Sequence, residues 1–496
     1  MLLCGLQQGR GGFWRERVIN MNEIVSREPG GNSNSLQPEA VLVEQKQRAL
    51  EWRHSTAAFR RSRLTLLEQA IERHHRQLCN ALEVDLHKPE TETDLSEILP
   101  VIAEIRHARR HLSGWMKPRK VDPVRLLPGM SAWIRHEPRG TCLIMAPWNY
   151  PVALTLGPLT CALAAGNTVM LKPSEFAPAT AAVIAELVRE TFSPAEVAVF
   201  PGDATLASAL LDLPFDHIFF TGSPSTGRIV MAAAARHLTS ITLELGGRSP
   251  AIVDATADLE SAARTIAWGK WTNCGQTCIA PDHLFVEESI RERFVSALEH
   301  EITALYGTDC RTSPDYGRII NDRHFERLVG LLEDAIRRGA QQIGGPIVAG
   351  ERLIPPTLLT GIRPGSAILE NEIFGPILPI LEFKNLDGPI AAINDQPKPL
   401  ALYIFSRRQA AIDRIVHETS SGGVGINTTL LQFLHGNLPF GGIGGSGIGN
   451  SHGFFGFRTL SHERAILRDR LFLTRLLSPP YSRWVRKGIR ALRKLA

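Results

Sequence analysis

From residue 139 onward the chain alternates short apolar runs with helical stretches, and this alternation restricts the fold more than any other feature. The apolar runs are GTCLIMA, NTVMLK, VAVFPG, HIFFTG and ITLEL; ALTLGPLTCALAAG, PATAAVIAELVRET and ATLASALLDL lie between them. A repeated strand–helix–strand order predicts an α/β fold with a doubly wound parallel sheet. Because ligands of such sheets bind at the carboxyl ends of the strands, the residues that follow each run are the first candidates for function.

Two further regions flank or extend this pattern. Residues 38–116 place apolar residues three and four apart, as in LTLLEQAIERHHRQLCNALEVDL, and are predicted to form long amphipathic helices. Within DLSEILPVIAEIRHARRHLSGW, Asp94 is expected to cap a helix and Pro100 to kink it. A second alternating stretch at 249–430 is long enough for another α/β domain.

Charge and cysteine content limit the partners and the compartment. Residues 461–496 carry ten Lys or Arg against two acidic residues, whereas the rest of the chain is close to neutral, which argues against a nucleic-acid partner. Seven cysteines without regular spacing do not suggest a disulfide framework, so a reducing, cytoplasmic compartment is expected. No apolar run reaches the ~18 residues that a membrane-spanning helix requires. Residues 1–35 are expected to be disordered, and Met21 is an alternative start to Met1.

Two glycines mark a candidate phosphate site. Gly222 and Gly227 of FFTGSPSTGR follow a predicted strand and precede the predicted helix RIVMAAAARHL. Arg228 and Ile229 stand where a Walker A loop needs Lys and Ser or Thr, and the three-glycine dinucleotide fingerprint is absent. Free backbone N–H groups and Ser223 at a helix N-terminus nevertheless suit a pyrophosphate. An ordinary turn is the alternative.

The LKPSE stretch ends another predicted strand. Lys172 and Glu175 within it are placed to reach ribose hydroxyls, since a carboxylate accepts two hydroxyl hydrogen bonds and repels a 2′-phosphate. A solvated pair of charges in a loop is the alternative.

WTNCGQTCIAPD contains two cysteines four residues apart. A zinc site at Cys274 and Cys278 would need further ligands, and beyond His283 no second Cys or His pair lies close in sequence, so no metal is predicted. A disulfide over so short a span is sterically and chemically disfavoured. A nucleophile or a buried pair therefore remains, whereas Cys142 and Cys161 lie in apolar runs and are interpreted as core residues.

Several motifs, taken in order, indicate a family. The chain resembles the aldehyde dehydrogenase superfamily from about residue 45 to 465, and WGKWTNCGQTCIAPD, DYGRIIN, KPLALYIFS and ETSSGGV resemble its class 3 branch. That branch includes fatty, aromatic and coniferyl aldehyde dehydrogenases. The motifs that carry the wider resemblance are APWNYP, LKPSE, FTGSPSTG, LELGGRSP, GQTCIAPD, ENEIFGP and LPFGGIGGSGIG.

The resemblance implies three catalytic residues. Cys278 of GQTC matches the nucleophile, which needs activation because a free thiol has a pKa of about 8.5. Asn149 matches the amide that, with the backbone N–H of Cys278, binds the developing oxyanion; its alternative role is to form a turn before Pro151. Glu244 matches the general base, and its apolar neighbours are expected to raise its pKa. Cys274 matches no role and is interpreted as a wall residue prone to oxidation.

The resemblance also implies a nicotinamide cofactor: NAD by preference because of Glu175, with NADP accepted. Gly246 is expected to let the backbone pass close to the nicotinamide, and Glu372 and Phe374 to hold the nicotinamide ribose and ring. Arg248 is given no role. The implied cofactor-binding residues are Trp148, Lys172, Glu175, Gly222, Ser223, Gly246, Glu372 and Phe374.

YSRWVRKGIRALRKLA closes the chain as a predicted amphipathic helix. Its apolar face is Val485, Ile489, Leu492 and Ala496, with Trp484 at the boundary and basic residues elsewhere. This pattern is typical of a helix that lies on an anionic membrane surface. A solvated tail, or a tail packed on a partner subunit, is the alternative.

The resemblance implies NAD(P)-dependent oxidation of a long-chain aliphatic or aromatic aldehyde to the acid through a cysteine thiohemiacetal and thioester, and it also implies a homodimer. The alternatives are a CoA-acylating aldehyde dehydrogenase, a catalytically silent binding protein on the same fold, and a cysteine hydrolase. The predicted organisation is a disordered N-terminus (1–35), a cofactor domain (36–116 and 138–247), a catalytic domain (248–432), a bridging region (117–137 and 433–460) and a basic tail (461–496).

Overall fold

The described residues form three β-sheets with helices around them. The computed structural model describes residues 37–124, 130–470 and 478–493. The disorder expected for residues 1–35 and the choice of start residue fall outside these ranges.

The first sheet confirms the predicted parallel, doubly wound arrangement. Its six strands lie in the order β15-β7-β6-β3-β4-β5, and only the short β15 runs antiparallel to its neighbour. All five predicted apolar runs form strands, because each is buried within this sheet. The strands are β3 Thr141–Met145, β4 Thr168–Lys172, β5 Val197–Val199, β6 His217–Gly222, β7 Ser240–Leu245 and β15 Gly447–Ile448.

Four helices connect these strands, and Ser223 caps the N-terminus of the last one. The predicted crossover helices are confirmed, but the last one begins earlier than expected. Pro224 follows the Ser223 cap and suits the first helical turn, so Gly227 lies inside the helix and not in the loop before it. The helices are α6 Ala153–Ala165, α7 Pro178–Thr191, α8 Ala204–Leu211 and α9 Pro224–Ala235.

The helices predicted for residues 38–116 are present and pack with the first sheet, with one correction. Asp94 does not cap a helix: it begins a π-helical turn, Asp94–Ile98, in which the N–H of Leu99 donates to the carbonyl of Asp94. Pro100 then falls in the first turn of the next helix, where its missing N–H costs nothing, so the turn replaces the expected kink. The helices are α1 Pro38–Trp52, α2 Ala57–Arg73, α3 His75–Leu86, α4 Glu90–Thr93 and α5 Leu99–Trp115.

A second, seven-stranded sheet lies in the later alternating stretch, with the order β10-β11-β12-β9-β8-β13-β14; only β10 is antiparallel. Its strands are β8 Pro250–Val253, β9 His283–Glu287, β10 Gln341–Ile343, β11 Thr357–Thr360, β12 Ile377–Phe383, β13 Ala401–Phe405 and β14 Gly423–Ile426. The helices around it are α10 Leu259–Trp271, α11 Arg291–Tyr306, α12 Asp322–Arg337, α13 Asp387–Asn394 and α14 Gln409–Glu418.

A third, antiparallel sheet has the order β1-β2-β16 and runs over β1 Arg119–Lys120, β2 Met130–Pro138 and β16 Ser461–Asp469, with the helix α15 Gly453–Thr459 before the last strand. The predicted tail begins at residue 461, but residues 461–469 pair with β2 along their whole length, so the β-ladder sets their conformation.

The predicted tail helix is present as α16, Arg483–Leu492. Within the described ranges, no helix combines the length and apolar character needed to cross a bilayer. The other domain boundaries stay predictions.

Candidate active site

The loop that carries Cys278 has an unusual local conformation. Helix α10 ends at Trp271, and Asn273, Cys274 and Gly275 all have positive φ. A side chain at Gly275 would collide with the carbonyl of Gly375, so only glycine fits there. Non-glycine residues with positive φ are strained and concentrate at functional sites. This tight reversal brings the chain back to Cys278 at the edge of a cavity.

Cys278 faces two cavities at once. One has a volume of about 310 Å³ and an apolar lining. The other, of about 40 Å³, is also lined by Glu244. Burial raises the pKa of the Cys278 thiol to about 12, and the nearby carboxyls of Glu372 and Glu244 add to the shift. The activation that the predicted nucleophile would need is therefore not supplied by the protein side chains around it.

Cys274 differs from Cys278 in exposure, since it lines neither cavity. Its side chain is 1% exposed and packs in the core cluster of the second sheet. Burial raises the pKa of its thiol well above the ordinary value. The interpretation of Cys274 as a residue prone to oxidation is wrong, because an oxidant needs an accessible thiolate. The core positions predicted for Cys142 and Cys161 are confirmed.

Asn149 lies buried against the nucleophile loop. Its side-chain Nδ2 donates to the carbonyl of Gln276 at 2.9 Å, two residues before Cys278, and its own carbonyl accepts from Asn273 Nδ2 at 2.8 Å. The amide nitrogen carries two hydrogens, so one remains to donate elsewhere.

Glu244 lies in β7 beside Thr221 of β6, and the two side chains line the smaller cavity. Its carboxyl is buried, and neither oxygen has a hydrogen-bond partner. Burial raises the pKa of Glu244 to about 8, opposed by the nearby Ser451 hydroxyl, which confirms the predicted direction. An unpaired buried carboxyl is costly, and such groups are retained where a reaction needs them.

The carboxyl end of β6 fits a pyrophosphate. Gly222 ends the strand, and Ser223 is the exposed N-cap of α9, with its hydroxyl accepting from the N–H of Thr226 at 3.3 Å. The first N–H groups of a helix attract anions. The buried Thr221 hydroxyl has no hydrogen-bond partner. Sequence reasoning missed Thr221, although it precedes Gly222 in the same motif.

Lys172 and Glu175 form an ion pair at the carboxyl end of β4. The Lys172 ammonium is buried and donates to Glu175 at 2.6 Å, while the Glu175 side chain keeps a third of its surface exposed. This geometry fixes a carboxylate at the sheet edge where ligands bind, and the pair is more than two solvated charges.

Gly246, Glu372, Phe374 and Trp148 come together as the resemblance implied. A Cβ at Gly246 would collide with the Glu372 carboxyl, so the two approach closely only because the residue is glycine. Phe374 has positive φ and contacts Trp148 edge-to-face, with 5.4 Å between the ring centroids. Burial raises the pKa of Glu372 to about 8, and the nearby carboxyl of Asp282 adds to the shift. These residues, with the β4 and β6 ends, fit a bound dinucleotide.

Two cations lie around this cluster: Arg248, to which the sequence assigned no role, and Lys270, which it did not single out. Arg248 pairs with Asp282 at 3.1 Å, and Asp282 also accepts from the N–H of Ile373 at 2.8 Å, which holds the loop segment beside Glu372. Lys270 is 1% exposed, and burial lowers its pKa to about 8. In the sequence, Lys270 is simply the lysine of WGKW, and no spacing pattern distinguishes a buried lysine from an exposed one.

The larger cavity is lined mainly by apolar side chains from distant segments. In the described part of the chain, Glu92 and Asp315 are the only lining residues of the Asp, Glu, Lys, Arg and His types. Burial raises the pKa of Glu92 to about 7, and the ammonium of Lys88 opposes the shift. The apolar lining is Leu95, Ala153, Leu154, Trp268, Ile279, Leu305, Leu430, Leu431, Phe433 and Leu434.

Two largely parallel β-sheets with helices around them define an α/β fold, and it is the fold of aldehyde dehydrogenases. The chain belongs to the aldehyde dehydrogenase family, whose model matches residues 32–466. It is an enzyme that oxidises aldehydes. The family predicted from the motifs is confirmed.

The relatives agree with the class 3 resemblance. Aldehyde dehydrogenase family 3 member B1 of Rattus norvegicus is 44% identical over 440 residues, which cover 89% of this chain and 93% of the relative. The 4,4'-diaponeurosporen-aldehyde dehydrogenase of Staphylococcus aureus is 44% identical over 426 residues, covering 86% and 92%. The substrate-bound state of Staphylococcus aureus AldH superposes with a TM-score of 0.88 at 41% identity, covering 92% of this chain and 100% of that one.

Proposed function

We propose that this chain oxidises neutral aldehydes with a long aliphatic or aromatic tail to carboxylic acids, through a covalent bond to Cys278, with NAD preferred and NADP accepted. One observation carries the proposal. Cys278 lies where an apolar cavity, suited to an aldehyde tail, meets a small cavity that holds the unpaired Glu244. A nucleophile and a base that share one cavity are the elements of acyl chemistry.

The first step is addition of the Cys278 thiolate to the carbonyl carbon, which leaves negative charge on the oxygen. The backbone N–H of Cys278 and the free hydrogen of the Asn149 amide stabilise that oxygen. Each donor of this kind contributes about 10²–10³ in rate. Asn149 suits the role because its bond to Gln276 holds the amide beside the nucleophile loop.

The adduct becomes a thioester when it loses hydride, for which a bound nicotinamide supplies the acceptor. Trp148, Phe374 and Glu372 would hold the ring and its ribose, and Ser223 and Lys172 the rest of the dinucleotide. The Glu175 carboxylate, fixed by Lys172, repels a 2′-phosphate and so favours NAD. The positive charge of a bound oxidised nicotinamide would also lower the pKa of the Cys278 thiol and so offset the effect of burial.

Glu244 then removes a proton from the water that attacks the thioester, the C–S bond breaks, and the acid leaves. The pKa of about 8 makes the carboxylate a stronger base than an exposed glutamate. Because this base promotes hydrolysis, the acid is expected as product, in contrast to the CoA ester of an acylating enzyme.

The charges in the larger cavity predict selectivity for neutral aldehydes. We expect decanal and benzaldehyde to be oxidised. An aldehyde as long as decanal but with a terminal carboxylate should have a kcat/KM about tenfold lower than decanal, the factor that ~1.4 kcal/mol of repulsion produces. NADH formation with each aldehyde measures this, and the acid should form without CoA. Glu92→Gln should narrow the difference, whereas Glu288→Gln, at an exposed site, should not.

No NADH formation with any aldehyde would reject the proposed function. Equal rates for the neutral and carboxylated aldehydes would reject only the charge selectivity.

We also propose that α16 docks on anionic membrane surfaces, which would deliver lipophilic aldehydes to a cytoplasmic enzyme. Trp484 and Ile489 are 68% and 45% exposed, so the helix presents apolar side chains to its surroundings. Its cations are exposed as well, and each basic residue near an anionic surface contributes about 1 kcal/mol. The exposed basic residues are Arg483, Arg486, Lys487, Arg490 and Arg493.

Vesicle sedimentation tests this docking. The full chain should pellet with phosphatidylserine vesicles, remain in solution with phosphatidylcholine vesicles, and be released by salt, because the attraction is screened. Arg486→Glu combined with Arg490→Glu should abolish pelleting, whereas Arg407→Glu, on an exposed site in another element, should not. Equal pelleting of the full chain and of a chain ending at Leu477 would contradict the proposal.

The homodimer implied by the resemblance stays a proposal. It is supported by β16, a nine-residue strand at the edge of its sheet, where Leu467 is 58% exposed. Such an edge offers unpaired backbone groups and apolar surface to a partner.

A further inference from the structure

A fully buried ion pair lies behind the turn that carries Asn149. Lys88 Nζ donates to Glu97 Oε1 at 2.6 Å, and the two side chains are 1% and 0% exposed. Burying two charges costs free energy that their attraction barely repays, so such a pair is weak evidence for a role in stability. Its remaining hydrogen bonds indicate another role.

Those bonds all go to one turn. The Lys88 ammonium also donates to the carbonyl of Asn149 at 3.2 Å, and it lies 4.2 Å from the centre of the Tyr150 ring. The second oxygen of Glu97 accepts from the backbone N–H groups of Val152 at 3.0 Å and Ala153 at 2.9 Å. One ion pair therefore holds the turn at both ends.

The segment that supplies the pair is itself unusual. Glu97 lies within the π-helical turn Asp94–Ile98, and Lys88 follows His87, which has positive φ. A π-helical turn shifts the register of the residues after it, and such turns occur frequently at functional sites. Both departures from regular helix accompany the inward placement of the two charges.

The held turn is coupled to the nucleophile loop. Asn149 donates to the carbonyl of Gln276 and accepts from Asn273, and the Tyr150 hydroxyl lies 2.7 Å from Thr277 Oγ1, one residue before Cys278. A shift of the turn would therefore move the amide of Asn149 relative to the sulfur.

We propose that Lys88 and Glu97 are positioning residues, whose ion pair fixes the 149–153 turn so that the Asn149 amide meets the oxygen of the aldehyde bound to Cys278. This inference rests on the oxyanion role given to Asn149 in the proposed function. The two residues touch neither substrate nor cofactor: they act through Asn149. Their removal lowers kcat and leaves KM for a neutral aldehyde and for NAD unchanged.

A double-mutant cycle tests the inference. Asn149→Ala should lower kcat by about 10²–10³, and Lys88→Met by about 10², since small misplacement of a catalytic group has effects of this size. If Lys88 acts only through Asn149, the double variant should be no slower than Asn149→Ala alone. Two losses that multiply would overturn the inference, because they would show that Lys88 acts independently.

Controls separate positioning from folding. Lys384→Met breaks an exposed ion pair and should leave kcat unchanged. Lys88→Met leaves the Glu97 carboxyl without its cation, so the double variant Lys88→Met with Glu97→Gln is measured alongside it. If this double variant has the same low kcat and unfolds at a temperature close to that of the wild type, the result supports positioning. Recovery of the full kcat in the double variant contradicts positioning. Alkylation of Cys278 by iodoacetamide should proceed at a similar rate in all variants.

The kcat of Asn149→Ala distinguishes failure of the oxyanion role of Asn149 from failure of the positioning role of Lys88 and Glu97. Wild-type kcat in Asn149→Ala would remove the oxyanion role and the positioning role together. A low kcat in Asn149→Ala, with losses that multiply in the double variant, would remove the positioning role alone.

Discussion

Replacement of Cys278 by serine is expected to abolish aldehyde oxidation, with kcat lowered by at least about 10³-fold, because a hydroxyl at this site is a far weaker nucleophile than a thiolate. The variant should bind NAD with unchanged affinity, since the change is small and Cys278 is not among the predicted cofactor-binding residues. NADH formation with a good neutral aldehyde measures the first effect, and fluorescence titration the second.

Cys274→Ser is the matched control, since it makes the same change four residues earlier in the same loop. Cys274 lines neither cavity and is 1% exposed, so its replacement should reduce thermal stability and leave kcat within a few-fold of wild type. Iodoacetamide should modify Cys278 and spare Cys274. Unchanged turnover in Cys278→Ser, or an equally inactive but folded Cys274→Ser, would remove the nucleophile from this account.

The elements that carry the site followed from periodicity. The strands that end at Lys172, Gly222 and Leu245 are continuous apolar runs, and such runs signal burial on both faces of a parallel sheet. Helix starts were harder to place: Pro224 begins α9 three residues before Gly227, because proline suits the first helical turn and the glycine only had to pack closely on Leu245.

The candidate site was recovered where a motif existed and missed where the roles depend on distant partners. Lys88 and Glu97 are nine residues apart in the sequence, yet their importance lies in bonds to a turn more than fifty residues away. Arg248 likewise meets Asp282 only in the fold. No single-sequence pattern reports such pairs, because a buried charge and a solvated charge are written with the same letter.

The direction of the two main pKa shifts was also predictable only in part. Apolar neighbours in the sequence correctly signalled the raised pKa of Glu244. The sequence did not indicate the raised pKa of Cys278, because this shift depends on burial and on the carboxyls of Glu372 and Glu244, which lie in two other segments of the chain. Both shifts keep Cys278 and Glu244 protonated near neutral pH. Each step that uses one of these groups is therefore faster where the pH or a neighbouring charge favours the ionised form of that group.

Glu244→Gln is expected to stop the reaction after the thioester has formed. The glutamine keeps the size of the side chain but cannot take a proton from water, so steady-state kcat should fall by about 10²–10⁴, the usual contribution of a positioned base. Rapid mixing should still show a burst of about one NADH per chain, because the steps before hydrolysis do not use this group. Intact-mass measurement should find the acyl group on the protein, and Cys278→Ser should remove it.

The pH dependence of kcat gives an independent signature of the same group. Since the pKa of Glu244 is raised to about 8, the carboxyl is mostly protonated at neutral pH, and the basic form accumulates as pH rises through that value. Hydrolysis-limited kcat should therefore rise with pH through about 8 and level off above it, and Glu244→Gln should lose this inflection. Glu301→Gln changes a buried carboxyl of α11 that lines neither cavity, and it should keep both the rate and the inflection. Loss of the burst in Glu244→Gln would show that Glu244 acts in a step before thioester formation. Persistence of the inflection in this variant would show that another group causes it.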